Sequence, residues 1–255
     1  MIQLYTFNIS HFAEKARWAM DRTGVSYRER VLLPGPHIFT IRRLGQSKTS
    51  VPVLLDAGKV VQGSSAIIDY VDERWLDSGR RLTPAEPELR QQAIELEQWM
   101  DGEIGEASRR FFYHQALPVR EFVAELFTGR GPWWGRAFYG MAYPKVAQAI
   151  RRLYVITPEN AAKDRERVLA AYQRLDGMLA TGPYLLGDRF TRADLTLAAL
   201  AAPICRPSEH PTCWPSESLY PEPLRRWIDE LGRFRVRAHA LRMYREHRAA
   251  PARAA

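Results

Sequence analysis

Ser50-Val51-Pro52-Val53-Leu54-Leu55-Asp56-Ala57-Gly58-Lys59-Val60-Val61-Gln62-Gly63-Ser64-Ser65-Ala66-Ile67 holds two short apolar runs separated by Asp56-Ala57-Gly58, then a step into a different period. The central triplet is turn chemistry, so residues 53–55 and 60–61 predict a β-hairpin. Over 64–75 the apolar residues Ile67, Ile68, Val71 and Trp75 recur on one helical face. Upstream, residues 2–7 read as a strand, and 13–24 as a helix with Ala16, Ala19 and Met20 on one face and Gly24 as its stop. Residues 27–33 read as a second strand. Pro34-Gly35-Pro36 breaks the chain, and 38–44 is a short helix or irregular stretch. The predicted order is βαβ, connector, ββα.

The composition then shifts. Leu82-Thr83-Pro84-Ala85-Glu86-Pro87 has the proline content of a linker and marks a domain boundary. Residues 88–117 form the longest helical pattern, with Ile94, Trp99, Ile104 and Phe111 among its apolar positions. Pro118 is expected to start another helix, Gly129 to Gly135 to break the chain, Pro144 to start or kink a helix, and Pro158 to open one running to about Thr181. Thr191-Arg192-Ala193-Asp194 is a capping arrangement ahead of Leu195, Leu197 and Leu200, and residues 203–223 read as a proline-rich loop. The fold class implied is α/β plus all-α, with domains over 1–80 and 88–248.

At 255 residues, with 46% hydrophobic and 26% charged residues, the chain is long enough for two modest cored domains, which excludes a disordered polymer. No apolar run approaches the roughly 18 residues of a membrane span. Met1-Ile2-Gln3-Leu4-Tyr5 lacks a charged region ahead of an apolar one, so no signal peptide is read and a cytoplasmic address is expected. Cys205 and Cys213 are too few for a disulfide scaffold. With His210 they share one loop, but a structural zinc site needs four ligands, so no metal is expected. The net charge is +8, and residues 224–255 hold nine Arg against Asp229, Glu230 and Glu246. Leu224, Trp227, Ile228, Leu231, Phe234, Leu241 and Tyr244 would dock this segment on a core, leaving a solvated basic face. Neither nucleic acid nor membrane is expected as a partner.

Three motifs bear on function. Ser10-His11-Phe12-Ala13-Glu14-Lys15-Ala16-Arg17 stands at the turn from strand to helix, Ser50-Val51-Pro52-Val53-Leu54 opens the hairpin, and Gln62-Gly63-Ser64-Ser65-Ala66-Ile67 with Tyr70 opens the next helix. Together, at this spacing, they resemble the cytosolic glutathione S-transferase family. The first looks like the Cys-Pro-Phe-Ala-Glu-Arg-Thr-Arg turn of omega-class members, with Ser10 in place of cysteine. Theta and delta members use a serine at this turn, so the resemblance makes Ser10 the catalytic residue. It implies a cis Pro52, Val51 pairing its backbone with the glutathione peptide, and the helix start at Ser64 holding the γ-glutamyl carboxylate. Phe12 and Ser65 complete the implied glutathione contacts. The Gly187 to Asp194 segment resembles the family's capping box and hydrophobic staple. The fold implied is a thioredoxin-like N-terminal domain followed by an all-helical one, and the assembly a homodimer.

Gly63 departs from the pattern: the family carries an acidic residue or glutamine there, a usual partner of the glutathione amino group. Losing a charge-assisted hydrogen bond of roughly 1.5 to 3 kcal/mol weakens binding about tenfold or more. Gln62 is one residue too early to replace it.

A free thiol titrates near about 8.5 and reacts as thiolate, so a transferase must stabilise the charged form. The N-terminus of the helix after Ser10 contributes roughly 0.3 to 1 kcal/mol and a hydroxyl hydrogen bond about 1.5 to 3 kcal/mol, together about two pKa units. His11, if cationic, would add to this. By position alone Ser10 and Ser64 also suit helix capping. The helical domain would supply the pocket for a small-molecule electrophile, with Tyr113 and Trp133 as candidate contacts. Arg109 and Arg110 would favour an acidic co-substrate if they faced it, but read more simply as a solvated helix face. Two other readings stay open: a non-catalytic carrier of an apolar ligand, favoured by Gly63, and an interaction scaffold using the Arg-rich segment.

Overall fold

The computed structural model describes residues 1–248 apart from Ser78 and Cys213. The chain begins β1(Gln3–Phe7), α1(His11–Thr23), β2(Arg28–Leu32), α2(His37–Arg43), β3(Val53–Asp56), β4(Lys59–Gln62), α3(Ser64–Arg74). The sheet order is β2-β1-β3-β4, with β1 parallel to β2 and the β1/β3 and β3/β4 pairs antiparallel. Asp56 pairs with Lys59 across Ala57 and Gly58, both at positive φ, which is the tight turn the triplet predicts. The Val51–Pro52 peptide is cis. α1 ends where Gly24 turns left-handed at φ 72°.

Helices follow: α4(Pro87–Met100), a π-helical turn over Asp101–Glu106, α5(Ala107–Ala116), α6(Arg120–Thr128), α7(Gly135–Leu153), α8(Pro158–Met178), α9(Arg192–Cys205), α10(Glu222–Leu231) and α11(Arg235–His247). Two expectations need correction. The pattern over 88–117 is not one α-helix, because a π turn interrupts it at Asp101. Pro203 lies in the last turn of α9, which runs on to Cys205. Of the two places open to Pro144, a helix start or a helix interior, it takes the second, inside α7.

α9 is the axis of the helical half. Thr191 caps it by accepting from the Ala193 N–H at 3.2 Å, and the Asp194 carboxylate accepts from the Thr191 N–H at 3.1 Å. Asp194 also accepts from the Leu185 N–H at 2.9 Å, so the box ties in the preceding loop. Nearly every residue of α9 is buried, against α11, α1 and α4.

α1 is the hinge of the architecture. It is buried almost all round, between α3 on one side and α9 on the other, although it carries Glu14, Lys15, Arg17 and Asp21. Charges in such a place need partners, and each has one. Lys15 reaches Glu97 at 2.7 Å and Asp101 at 2.7 Å. Arg17 meets Glu29 at 2.5 Å. Arg248 spans Glu14 at 2.9 Å and Asp21 at 2.8 Å, with its side chain 2% exposed. The expected solvated basic face therefore fails at Arg248, which is a buried cation fixed by two buried carboxylates. Residues 249–255, the rest of the polar tail, lie outside the described residues, as does Cys213.

Candidate active site

Ser10 sits at the foot of β1 with extended backbone (φ −65°, ψ 114°), and its Oγ accepts from the Ala13 N–H at 3.2 Å. It therefore caps α1, yet the hydroxyl proton stays available and the residue lines a cavity of about 850 Å³. The same cavity is lined by Phe12, Val51 and Tyr113, so four residues selected from sequence, two of them far apart in the chain, border one space. Phe112, Phe127, Phe138, Ile150 and Trp227 make the rest largely apolar.

Close packing at the mouth of α1 depends on one glycine. A Cβ at Gly105, inside the π turn, would stand 2.7 Å from Phe12 Cζ and 3.1 Å from Leu200 Cδ2. His11 is buried beside it with its ring 4.7 Å from that of Phe12. Burial above all, then Arg109 and Lys15, push the His11 pKa down to about 3, so the ring is neutral and supplies no positive charge at this turn.

At the second anchor, α3 begins at Ser64 with Gly63 as its cap residue and no side chain capping its first turn. Its first N–H groups are therefore free of a protein side-chain acceptor, unlike those of α1 and α9, and suit an external carboxylate. Ser64 is buried. The Ser65 side chain is turned away: its hydroxyl donates to Glu97 at 2.8 Å, within the Lys15, Glu97 and Asp101 cluster that joins the two halves. Burial raises the Asp101 carboxyl despite Lys15. The Gln62 amide donates to the Lys48 and Ser50 carbonyls at 2.9 and 2.8 Å, holding the loop before Pro52 and leaving it no role at the missing position 63.

Trp133 is corrected outright. It is 94% exposed and absent from the cavity wall, because it lies in the loop between α6 and α7, where the chain has no neighbour to cover it. The arginines are corrected in the opposite sense. Arg110 pairs with Asp164 at 2.9 Å. Arg109 lines the cavity, its guanidinium 4.2 Å from the Tyr154 ring centroid and 5.6 Å from that of Phe12. His37 and Lys48 also line the cavity, and no sequence signal marked them. Burial holds the His37 pKa below its usual value. Cys205 is a buried thiol pushed up to about 12 by burial, too high to react as thiolate. Among the described residues no group of three or more His, Cys, Asp or Glu is placed to hold a metal ion, and no helix is long and apolar enough to cross a membrane.

Residues 4–76 match the family model described as the N-terminal domain of glutathione S-transferase, and residues 141–230 the one described as its C-terminal domain. A probable glutathione S-transferase of Nicotiana plumbaginifolia is 24% identical over 143 residues, 54% of this chain and 65% of that protein, so the alignment stops short of two thirds of its length. Among solved structures, a glutathione S-transferase of Ceriporiopsis subvermispora in complex with glutathione superposes with a TM-score of 0.63 at 19% identity, covering 98% of each chain. A beta-etherase of Sphingobium gives 0.63 at 18%, over 94% of this chain and 98% of that one. A glutathione-bound theta-class enzyme of Xanthomonas axonopodis pv. citri gives 0.56 at 22%, over 94% and 95%. With both family domains matched in order across well over half of its length, and a sheet-then-helices architecture shared end to end with these structures, the chain belongs to the glutathione S-transferase family.

Proposed function

We propose that this protein is a glutathione transferase, acting in the cytoplasm as a homodimer, that joins glutathione to a small apolar electrophile. What supports this most directly is continuity: Ser10 at the start of α1, Val51 beside Pro52 and a large aromatic-lined space belong to one cavity. Glutathione as co-substrate supplies the thiolate. On this reading the residues take the roles that the resemblance implies. The uncapped first turn of α3 and Ser64 receive the γ-glutamyl carboxylate, and Val51 next to Pro52 pairs with the peptide. Phe12 walls the site, and Ser65 offers only its backbone N–H because its hydroxyl is committed to Glu97. Ser10, standing where omega members have cysteine, donates its hydroxyl proton to sulfur. Tyr113 borders the electrophile. A carbon–sulfur bond forms at the electrophile, the leaving group departs with its electron pair, and the thiol proton passes to solvent. A serine cannot form a mixed disulfide, so thiol exchange through an enzyme cysteine at this turn is disfavoured.

Calorimetric titration with glutathione at pH 7 tests the reading: a sub-millimolar constant supports it, and no binding at about 10 mM, weaker than about 3 kcal/mol, overturns it. Ser10→Ala is expected to lower the conjugation rate roughly tenfold to a hundredfold with glutathione affinity nearly intact, and Ser64→Ala to do the reverse. Equal losses in both quantities would sink these role assignments. Gly63, which offers no side chain to the glutathione amino group, favours a second reading: a carrier that keeps the apolar cavity without catalysis.

A further inference from the structure

The cavity wall contains a cation that the binding of glutathione leaves unexplained. Arg109 projects from α5 and is partly buried, with its guanidinium held between the rings of Tyr154 and Phe12. Tyr154 in turn stacks on Tyr113 at 5.9 Å and 17°, so the group is fixed in a ladder of aromatic faces. Its Nε is buried without a hydrogen-bond partner, and among the described residues no carboxylate lies within 4 Å of it. The next arginine, Arg110, shows the ordinary solution, a pairing with Asp164. Glu106 is the sole carboxylate of the lining, and it is exposed, whereas Lys48 and Lys145 add positive charge at the rim. Arg109 lines a largely apolar space, and the planar fork of donors of a guanidinium matches a carboxylate bidentately.

We propose that Arg109 is the anion-binding residue of the electrophile subsite, so that the cavity selects an aromatic acid: an apolar ring body against Phe112, Phe138 and Ile150, with its carboxylate on the guanidinium. That this acid is an electrophile rests on the transferase reading above; the anion subsite does not.

The first arm is binding, by calorimetry at pH 7, of 2-naphthoate and of its neutral methyl ester, each with and without saturating glutathione. The acid should bind about tenfold or more tighter than the ester in the unaltered protein. Arg109→Gln should abolish that preference while moving the ester less than about twofold, and Arg109→Lys, which keeps charge but loses the fork, should retain part of it. Circular dichroism of each variant checks folding. Equal binding of acid and ester, no binding of either, or equal losses of both in Arg109→Gln would overturn the proposal. So would displacement of the acid alone by glutathione, which would put Arg109 in the glutathione site, or an upward shift in the thiolate titration of bound glutathione in Arg109→Gln with the acid preference unchanged. The second arm is turnover of 4-chloro-3-nitrobenzoate with glutathione, in which a carbon–sulfur bond replaces carbon–chlorine and chloride leaves. Acid-selective binding without this turnover keeps the anion subsite and removes the transferase reading; turnover with a KM raised about tenfold in Arg109→Gln supports both.

Discussion

Position 63 is glycine for a backbone reason. Its φ of 100° and ψ of 145° fall close to a region open essentially to glycine alone, and its N–H donates to the Pro52 carbonyl at 3.0 Å, so the bend ties the start of α3 to the Val51-Pro52 segment. A Cβ there would meet nothing within 4 Å. Gly63→Ala and Gly63→Glu are therefore expected to lose stability alike, by about 1 to 3 kcal/mol, from backbone strain alone. Urea midpoints measure this, and wild-type stability in either variant would show that the turn relaxes freely. Ser10, Phe12 and Val51, marked by motif spacing, and Tyr113, marked as an aromatic of the helical half, all line one cavity. Spacing could not show that the Ser65 hydroxyl belongs to Glu97, a partner 32 residues away, or that Trp133 is left uncovered.

Among the elements, α1 was legible as a helix and illegible as an interface. Ala16, Ala19, Met20 and Gly24 mark the helix, but the partners of Glu14, Lys15, Arg17 and Asp21 come from β2, α4, the π turn and Arg248 just after α11, and none of those pairings leaves a local trace. Removing one member of a buried pair strands the other. Arg248→Met should destabilise the protein by roughly 3 to 5 kcal/mol, read from urea unfolding, and adding Glu14→Gln and Asp21→Asn should restore much of the loss. A loss below about 1 kcal/mol would place Arg248 in water. The π turn explains the misread arginine. One extra residue in a turn moves everything after it by about 100° around the helix, so a 3.6-residue period carried through from α4 assigns the wrong face to Arg109.

For the whole molecule, the order of a small mixed sheet followed by helices could be read because hairpin, proline-rich step and capping box each have local chemistry. Its response to acid could not, since it depends on burial. His11 and His210 are both buried in the folded protein, with pKa values pushed down to about 3 and about 4, chiefly by desolvation, from an ordinary 6.5. The unfolded chain thus binds more protons below 6.5, and stability must fall as pH drops from there towards 4, by up to about 2.7 kcal/mol per unit when both rings titrate. Glu14 works in a lower window. Burial raises its carboxyl, but Arg248, His210 and Arg17 outweigh that and hold it below 4.5, so its contribution is lost only under more acid conditions. Melting temperatures at pH 7.5, 6 and 5 should decline from the first to the last, and an unchanged value at 5 would mean that the rings reach water.

The clasp between Arg248 and Glu14 also sets an order of events in the cell. Its two ends are 234 residues apart in the chain, so at about 5 to 20 residues per second the ribosome delivers Glu14 roughly 10 to 50 seconds before its cation. Through that interval the nascent sheet domain carries a carboxylate it cannot yet bury at full benefit. Final closure of α1 is thereby deferred until the last helices have been made.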